Sequence, residues 1–362
     1  MRKMIFALLG IAAVMSATAA VKKAVNITIV LKNASTVRYE KADVDSVEYV
    51  GGKFGETGAI GMKIYTKSSS YSHDYLYSQM TSVTIDSGGG EVDPNNVNAN
   101  RWTEKYNDEQ YMYSLEWPRV NEDDNTSYSV KSTPDYGVTL SLEWSNTLIA
   151  NRWTCYQMHN GNSAKNVTRQ DNFQEDPDLP AATRSKLSDY SGSGFSRGHL
   201  CPSADRLASR DQNSQTFYLS NMQPQWQSHN AGLWESIESK VRAWNIGSLR
   251  DTLYVVKAAT IDDVTIGGTK SSGVYENQKC NGRLPVAKYF YCAVLAVKGS
   301  QYHAIGIWTT HSDDAQSSTT IRSCAITIDE LERRTGIDFF CNLPDDIEAA
   351  VESSLDLDFW GL

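Results

Sequence analysis

The sequence predicts an α+β protein: a small β-rich module followed by a larger domain of strands with interspersed helices. Three observations carry this. Apolar and polar residues alternate between positions 25 and 86, a Gly-, Asn- and Pro-rich break follows, and strand and helix periodicities mix along the rest of the chain. Apolar residues fill 40 % of the 362 positions and charged residues 21 %, an ordinary globular balance that excludes wholesale disorder. The net charge of −9 argues against a protein that coats nucleic acid through a broad basic surface. It leaves room for an enzyme with a local basic groove, because net charge governs long-range steering more than close contacts.

Residues 1–19 have the three parts of a signal peptide. Arg2 and Lys3 form the basic end, Ile5 to Val14 the apolar run, and Ala17 and Ala19 suit cleavage next to small residues. No cysteine follows the cut, so a lipid anchor is not indicated, and the sequence offers no membrane span. The expectation is an exported protein, whether periplasmic, cell-surface or secreted.

Residues 20–86 form the β-rich module. "NITIVLK" and "GMKIYTK" both alternate, and each is followed by a tyrosine-containing stretch and a similar closing phrase, "DVDSVEYV" or "QMTSVTID". This is a weak internal duplication with a period of roughly 35 residues. The module holds no cluster of acids, bases or metal ligands and reads as an attachment or spacer unit, with no partner named by its sequence. "DSGGGEVDPNNVNAN" then opens a linker placed at 87–116, and the main domain occupies 117–362.

Within that domain "GVTLSLEW", "RWTCYQMH", "TLYVVKAAT", "AKYFYCAVLAV" and "YHAIGIWT" read as strands. "NAGLWESIESKVRAW" reads as a helix, with Trp234, Ile237, Val241 and Trp244 on one face. "TIDELERRTG" is a second helix, with Thr327 as N-cap, Glu330 at capping-box distance and Gly336 at the stop. The six cysteines are Cys155, Cys201, Cys280, Cys292, Cys324 and Cys341, and an even count in an exported chain suggests disulfides. Cys280 and Cys292 are candidates for a local staple. With no close C-x-x-C pair, zinc is not indicated.

The candidate chemistry centres on "FSRGHLCPSADR". Histidine is the side chain whose ordinary pKa suits taking a proton near neutrality, and His199 stands two residues after Arg197. If the segment is a strand, Arg197 and His199 share a face, and Gly198 between them permits a close approach. Downstream, "YLSNMQPQWQSHN" is dense in amides and reads as a loop able to orient water or a hydrated cation. Asn230, Trp234, Glu238 and Arg242 stand four apart, drifting about 40° per step along a continuous α-helix. On spacing alone a solvated rim is the simpler reading; the alternative is a cation ligand, its outer-sphere partner and a phosphate clamp. Arg169 lies in the polar loop "AKNVTRQDNFQEDPDLP", by default an exposed arginine. Together these groups are what metal-assisted phosphodiester hydrolysis requires, although a lone histidine is more often structural.

"SGFSRGHLCPSADR" followed by "FYLSNMQPQWQSHNAGLWESIE" closely resembles the DNA/RNA non-specific endonucleases. Their hallmark is an Asp-Arg-Gly-His motif and an Asn-x-x-Pro-Gln segment with a second asparagine nine residues after the first, matched here by Asn221 and Asn230. The resemblance runs from roughly residue 127 to 350 and does not cover residues 1–100. It implies a mixed-sheet ββα-metal (His-Me finger) core with His199 as general base and Asn230 as the direct protein ligand of Mg²⁺, with Mn²⁺ as a substitute. It further implies that Glu238 holds the ion's water shell, Arg242 steadies the scissile phosphate and Asn221 supports the site, with Arg197 as the motif arginine and Arg169 as a phosphate-contacting arginine. Substrates would be DNA and RNA, held through backbone phosphates. The motif's first residue is Ser196 instead of aspartate, which puts the support of neighbouring groups in question. The alternatives are a nuclease-like fold retained as a nucleic-acid or surface-binding protein, and a phosphodiesterase acting on a non-polymeric substrate.

Overall fold

A computed structural model describes residues 26–32, 36–39, 44–50, 60–66, 72–86, 95–100, 111–121, 123–314, 316 and 318–362. The expected signal peptide and residues 87–94 of the expected linker lie outside the described residues. The chain divides into two compact units, residues 1–91 and 92–362. Among the described residues no helix is long and apolar enough to cross a membrane.

Among its described residues the first unit contains six strands: β1 (Asn26–Leu31), β2 (Thr36–Tyr39), β3 (Val44–Val50), β4 (Gly61–Thr66), β5 (His73–Leu76) and β6 (Met80–Asp86). They form two antiparallel sheets, ordered β2-β1-β6 and β3-β4-β5. If β1–β3 and β4–β6 are taken as the two copies of the repeat, each sheet takes two strands from one copy and its third from the other. Ile27, Ile29, Val44, Val47, Met62, Ile64, Tyr77 and Met80 form the shared core. The tyrosines of the corresponding strands β2 and β5 meet, Tyr39 Oη to Tyr75 Oη, at 2.6 Å.

The second unit contains β7 (Thr126–Thr133), β8 (Gly137–Ser145), β9 (Ala150–Met158), β10 (Ser196–His199), α1 (Arg210–Gln215), β11 (Met222–Gln225), α2 (Gln227–His229) and α3 (Glu235–Trp244). It continues through β12 (Thr252–Ala259), β13 (Asp263–Ile266), β14 (Thr269–Ser272), β15 (Val274–Cys280), β16 (Leu284–Ala287), β17 (Tyr289–Lys298) and β18 (Gln301–Thr310). Last come α4 (Ile321–Cys324), β19 (Ala325–Ile326), α5 (Ile328–Thr335) and α6 (Asp345–Glu352). A seven-stranded sheet, ordered β19-β18-β17-β12-β9-β8-β7, forms its centre, and every pairing in it is antiparallel.

Both faces of this sheet are covered, which is why β17 reads as an unbroken apolar run. Phe290, Cys292, Val294 and Ala296 pack with Trp234, Ile237, Val241 and Trp244, the stripe expected from the sequence. The alternate residues Tyr291, Ala293 and Leu295 pack with Ile328 and Leu331 of α5 and Val351 of α6. The N-cap of α5 is Thr327, whose hydroxyl accepts from Glu330 N at 3.1 Å, and Gly336 ends the helix at φ 72°. Glu330 turns its carboxylate to Arg333 and Arg334, so the box closes on one side only.

Two expectations change. Residues 95–100 and 111–121, within or beside the expected linker, include parts packed into the second unit. Asn100 Nδ2 donates to Met112 O and Pro118 O, both at 3.0 Å, and Trp117 is 3 % exposed. The expected disulfides are not formed: all six cysteines are free and buried. Cys280 lies on β15, its thiol donating to Asp189 O at 3.0 Å, while Cys292 lies in the central sheet under α3. The two candidates for a staple therefore stand in different clusters.

Candidate active site

The "SRGH" segment is a strand, β10, paired antiparallel with β11 in the register Arg197 with Pro224 and His199 with Met222. Within the amide-rich stretch expected to be a loop, Met222–Gln225 form the second strand of this hairpin and are buried. Gln223 and the preceding Asn221 find backbone partners, which is what allows them inside, while Gln225 pairs through Nε2 with His229 Nδ1. Gln223 Nε2 donates to Asn151 O at 2.6 Å. Asn221 receives Cys201 N and donates to Cys201 O and Thr216 O, each at 2.9 Å. Asn221 thus clamps the chain that leaves His199, a supporting role. Ser196 donates to Gln227 Oε1.

His199 ends β10 with its ring against Phe173 and Phe217, centroids 5.8 and 5.1 Å away. Its carbonyl accepts from Trp234 Nε1 at 3.2 Å, tying the hairpin to the helix that follows. Nε2 is buried and has no hydrogen-bond partner. Burial, then the Arg169 and Arg197 guanidinium groups, push the imidazole down to about 3, so it is neutral at physiological pH.

Arg197 stacks on the Phe173 ring at 3.8 Å. Arg169, half exposed, lies over Phe217 at 4.8 Å and is fixed by Asp171 (2.6 Å) and Ser203 Oγ (2.9 Å). The two arginines, Phe173, Phe195, Gln227 and Asn230 line one cleft of about 660 Å³. Phe195 packs against Trp226 with centroids 4.3 Å apart.

Asn230 opens a π-helical turn, Asn230–Trp234, in which Gly232 takes φ −115° and ψ −108°, and α3 starts only at Glu235. The uniform drift expected along one helix therefore does not hold between Asn230 and Trp234; such turns recur at functional sites. Glu238 and Arg242 belong to a second group. Arg242 Nη1 reaches Asp205 Oδ1 at 3.1 Å and Glu238 Oε2 at 3.9 Å, and Tyr156 Oη donates to Asp205 Oδ2 at 2.8 Å. Burial pushes Glu238 up to about 7, against the opposing pull of Lys257 and Arg242. Lys257 is fully buried beneath this group, 5.8 Å from the Trp234 ring and 5.9 Å from Tyr156, and its Nζ has no partner.

The structure thus brings Arg169, Arg197 and Asn230 to one cleft, with His199 packed against Phe173, one of the residues that line it. Glu238 and Arg242 join Asp205 more than two turns further along the chain from Asn230. Phe173, Phe217, Asp205 and Lys257 went unremarked in the sequence. Lys257 carried a signal, a lone charge in an otherwise apolar strand; the aromatic pair carried none.

Hairpin, helix and cleft define the class, a ββα nuclease fold in which the histidine comes from the first strand and the polar helix residues follow it. The sequence profile of the DNA/RNA non-specific endonucleases matches residues 121–346, and the chain belongs to that family. It is 32 % identical over 236 residues to a nuclease of Nostoc sp., covering 62 % of this chain and 81 % of the relative. It is 31 % identical over 172 residues to nuclease C1 of Cunninghamella echinulata, covering 47 % and 67 %. The mitochondrial nuclease EXOG of Mus musculus is 28 % identical over 174 residues, covering 47 % and 46 %. EndoG, in its complex with EndoGI, shares the fold at a TM-score of 0.50 and 22 % identity, over 59 % of this chain and 86 % of that one.

Proposed function

We propose that the protein is an exported, Mg²⁺-dependent endonuclease that hydrolyses phosphodiester bonds of DNA and RNA with His199 as general base. The observation that carries this is the imidazole of His199, wedged between Phe173 and Phe217 beside a cleft lined by Arg169, Arg197 and Asn230. A neutral ring can accept a proton, and two arginines give a phosphate a reason to sit beside it. Their charge also depresses His199; a phosphate bound between them offsets that charge and raises the ring's basicity as substrate arrives. With Nε2 sealed in the protein, the proton of the attacking water goes to Nδ1.

The donor set fits a hard, hydrated divalent ion: Asn230 offers an amide oxygen at the cleft, and Glu238 a carboxylate with 15 % of its side chain exposed. When bound, such an ion supplies positive charge to the phosphodiester as it gathers a further oxygen. Asn230 would hold it directly and Glu238 through water, while Arg242, fixed by Asp205, steadies the phosphate. Mn²⁺ has the same ligand preference. The arginines and amides suit backbone phosphates rather than base edges, which favours action on both polymers. Export rests on the basic, apolar and small-residue succession of residues 1–19.

The test is digestion of plasmid DNA and of total RNA by the purified mature protein with Mg²⁺, with EDTA, and with His199→Ala. Cleavage of both polymers by wild type with Mg²⁺ alone is expected. Unchanged cleavage by folded His199→Ala removes His199 as the base.

A further inference from the structure

On the opposite face of the central sheet, α5 and α6 bring three carboxylates together. Asp329 and Glu332, three residues apart, share a face of α5, and Glu352 ends α6; their oxygens lie within 4.8 Å of one another. Asp329 is exposed, Glu332 half-buried and Glu352 only 5 % exposed. Glu332 Oε1 accepts from Phe339 N at 2.7 Å. Glu352 Oε1 is buried and has no hydrogen-bond partner. An unmatched buried carboxylate oxygen is costly, and its surroundings compound the cost. Glu348 and Asp338 also bear on it, bridged to each other by Asn98 Nδ2 at 2.8 and 3.3 Å. Among the described residues none of the three carboxylates is in an ion pair. The charge such a cluster lacks is a positive one.

We propose that Asp329, Glu332 and Glu352 form a Ca²⁺ site that fastens α6 to α5, separate from the catalytic centre. Only oxygen donors are present, and they come from two helices. Asp329 leaves one side open to water. This suits the flexible, oxygen-rich coordination of Ca²⁺ better than the strict octahedron of Mg²⁺. The site's output is stability, since its residues pack on the face of the sheet away from α3.

The experiment is calorimetric titration of Ca²⁺ into chelator-treated full-length protein carrying Asn230→Ala, which disables the proposed catalytic ion site. Thermal unfolding is followed in parallel. The expectation is one saturable site and a rise in Tm of roughly 5 °C at saturating Ca²⁺. Adding Glu352→Gln or the exposed Asp329→Asn should abolish both, while plasmid cleavage by either single variant at 25 °C stays at the wild-type rate. Asp329→Asn guards against a folding failure at the buried position. No Ca²⁺ binding in the Asn230→Ala protein, or binding unaffected by both further substitutions, overturns the proposal. So does a Tm that responds to pH alone, which identifies a proton-sharing cluster.

Discussion

The side-chain amide of Gln225 fills the space in which a β-carbon at position 198 would stand, 2.0 Å from Oε1 and 2.8 Å from the Gln225 Cβ, so Gly198 and Gln225 interlock across the hairpin. Gln225 cannot swing aside freely, because its Nε2 meets His229 Nδ1 at 2.6 Å and His229 Nε2 in turn meets Thr309 at 3.2 Å. Gly198→Ala should therefore cost about 1–3 kcal/mol of stability and displace His199. Urea unfolding and plasmid cleavage check this. A variant with wild-type stability and rate shows that the hairpin yields without moving the histidine.

Glu238 sets the expected pH dependence of activity. Its carboxyl, held up to about 7 by burial, is half protonated near neutrality, whereas His199 gains a proton only near 3 in the free protein. If ionised Glu238 is needed, kcat/KM rises with pH through about 7. The residual activity of Glu238→Gln should be flat from pH 6 to 8. A persistent limb in that variant assigns the titration to another group.

Lys257 is the buried cation that eases the ionisation of Glu238. Lys257→Met keeps the length, removes an unpartnered buried ammonium and should fold with equal or greater stability. Without that ammonium Glu238 holds its proton to higher pH. Activity at pH 7 then falls by about fivefold for the first pH unit by which the rising limb moves and about tenfold for each further one, and it returns at higher pH. Stability and the pH–rate profile separate this from simple core damage: a variant that loses activity equally at every pH, or simply unfolds, contradicts the reading.

Acid stability provides a separate check on the burial of His199. Folded His199 is proton-free down to about 3, while the unfolded chain binds its proton below about 6.5. The unfolded state thus holds the extra proton in this window, and stability is lost as pH falls from 6.5 towards 3. His199→Ala lacks this contribution, so from pH 6.5 to 4.5 it should lose less stability than wild type, by up to about 1.4 kcal/mol per pH unit. His229 and His311, also pushed down by burial, act in both proteins and cancel in the comparison. Parallel pH curves from urea titrations indicate a solvated His199.

The sequence showed what depends on local pattern. The Trp234–Trp244 stripe, the Thr327 cap, the Gly336 stop and the five strand segments all appear in the fold. What it hid depends on distant partners. The run from Asn221 to Gln225 looks like a loop because amides are polar, and Asn151, Cys201, Thr216 and His229, brought near by folding, give those amides partners. The π-turn at Asn230 is invisible because Gly232 in a helical pattern has no unique backbone. The motif residues were legible by type and order. Their division into a cleft group and an Asp205-centred group was not, since Asp205 acts through Tyr156 and Arg242 from other elements.

The exchange of strands in the N-terminal unit has an architectural consequence. Because β6 completes the sheet of β1 and β2 while β3 completes that of β4 and β5, neither copy of the repeat can close its own sheet. A polypeptide carrying one copy would find its missing strand only on a sister molecule. The covalent tandem turns that reciprocal, concentration-dependent embrace of two chains into an internal one, fixed at one-to-one whatever the dilution.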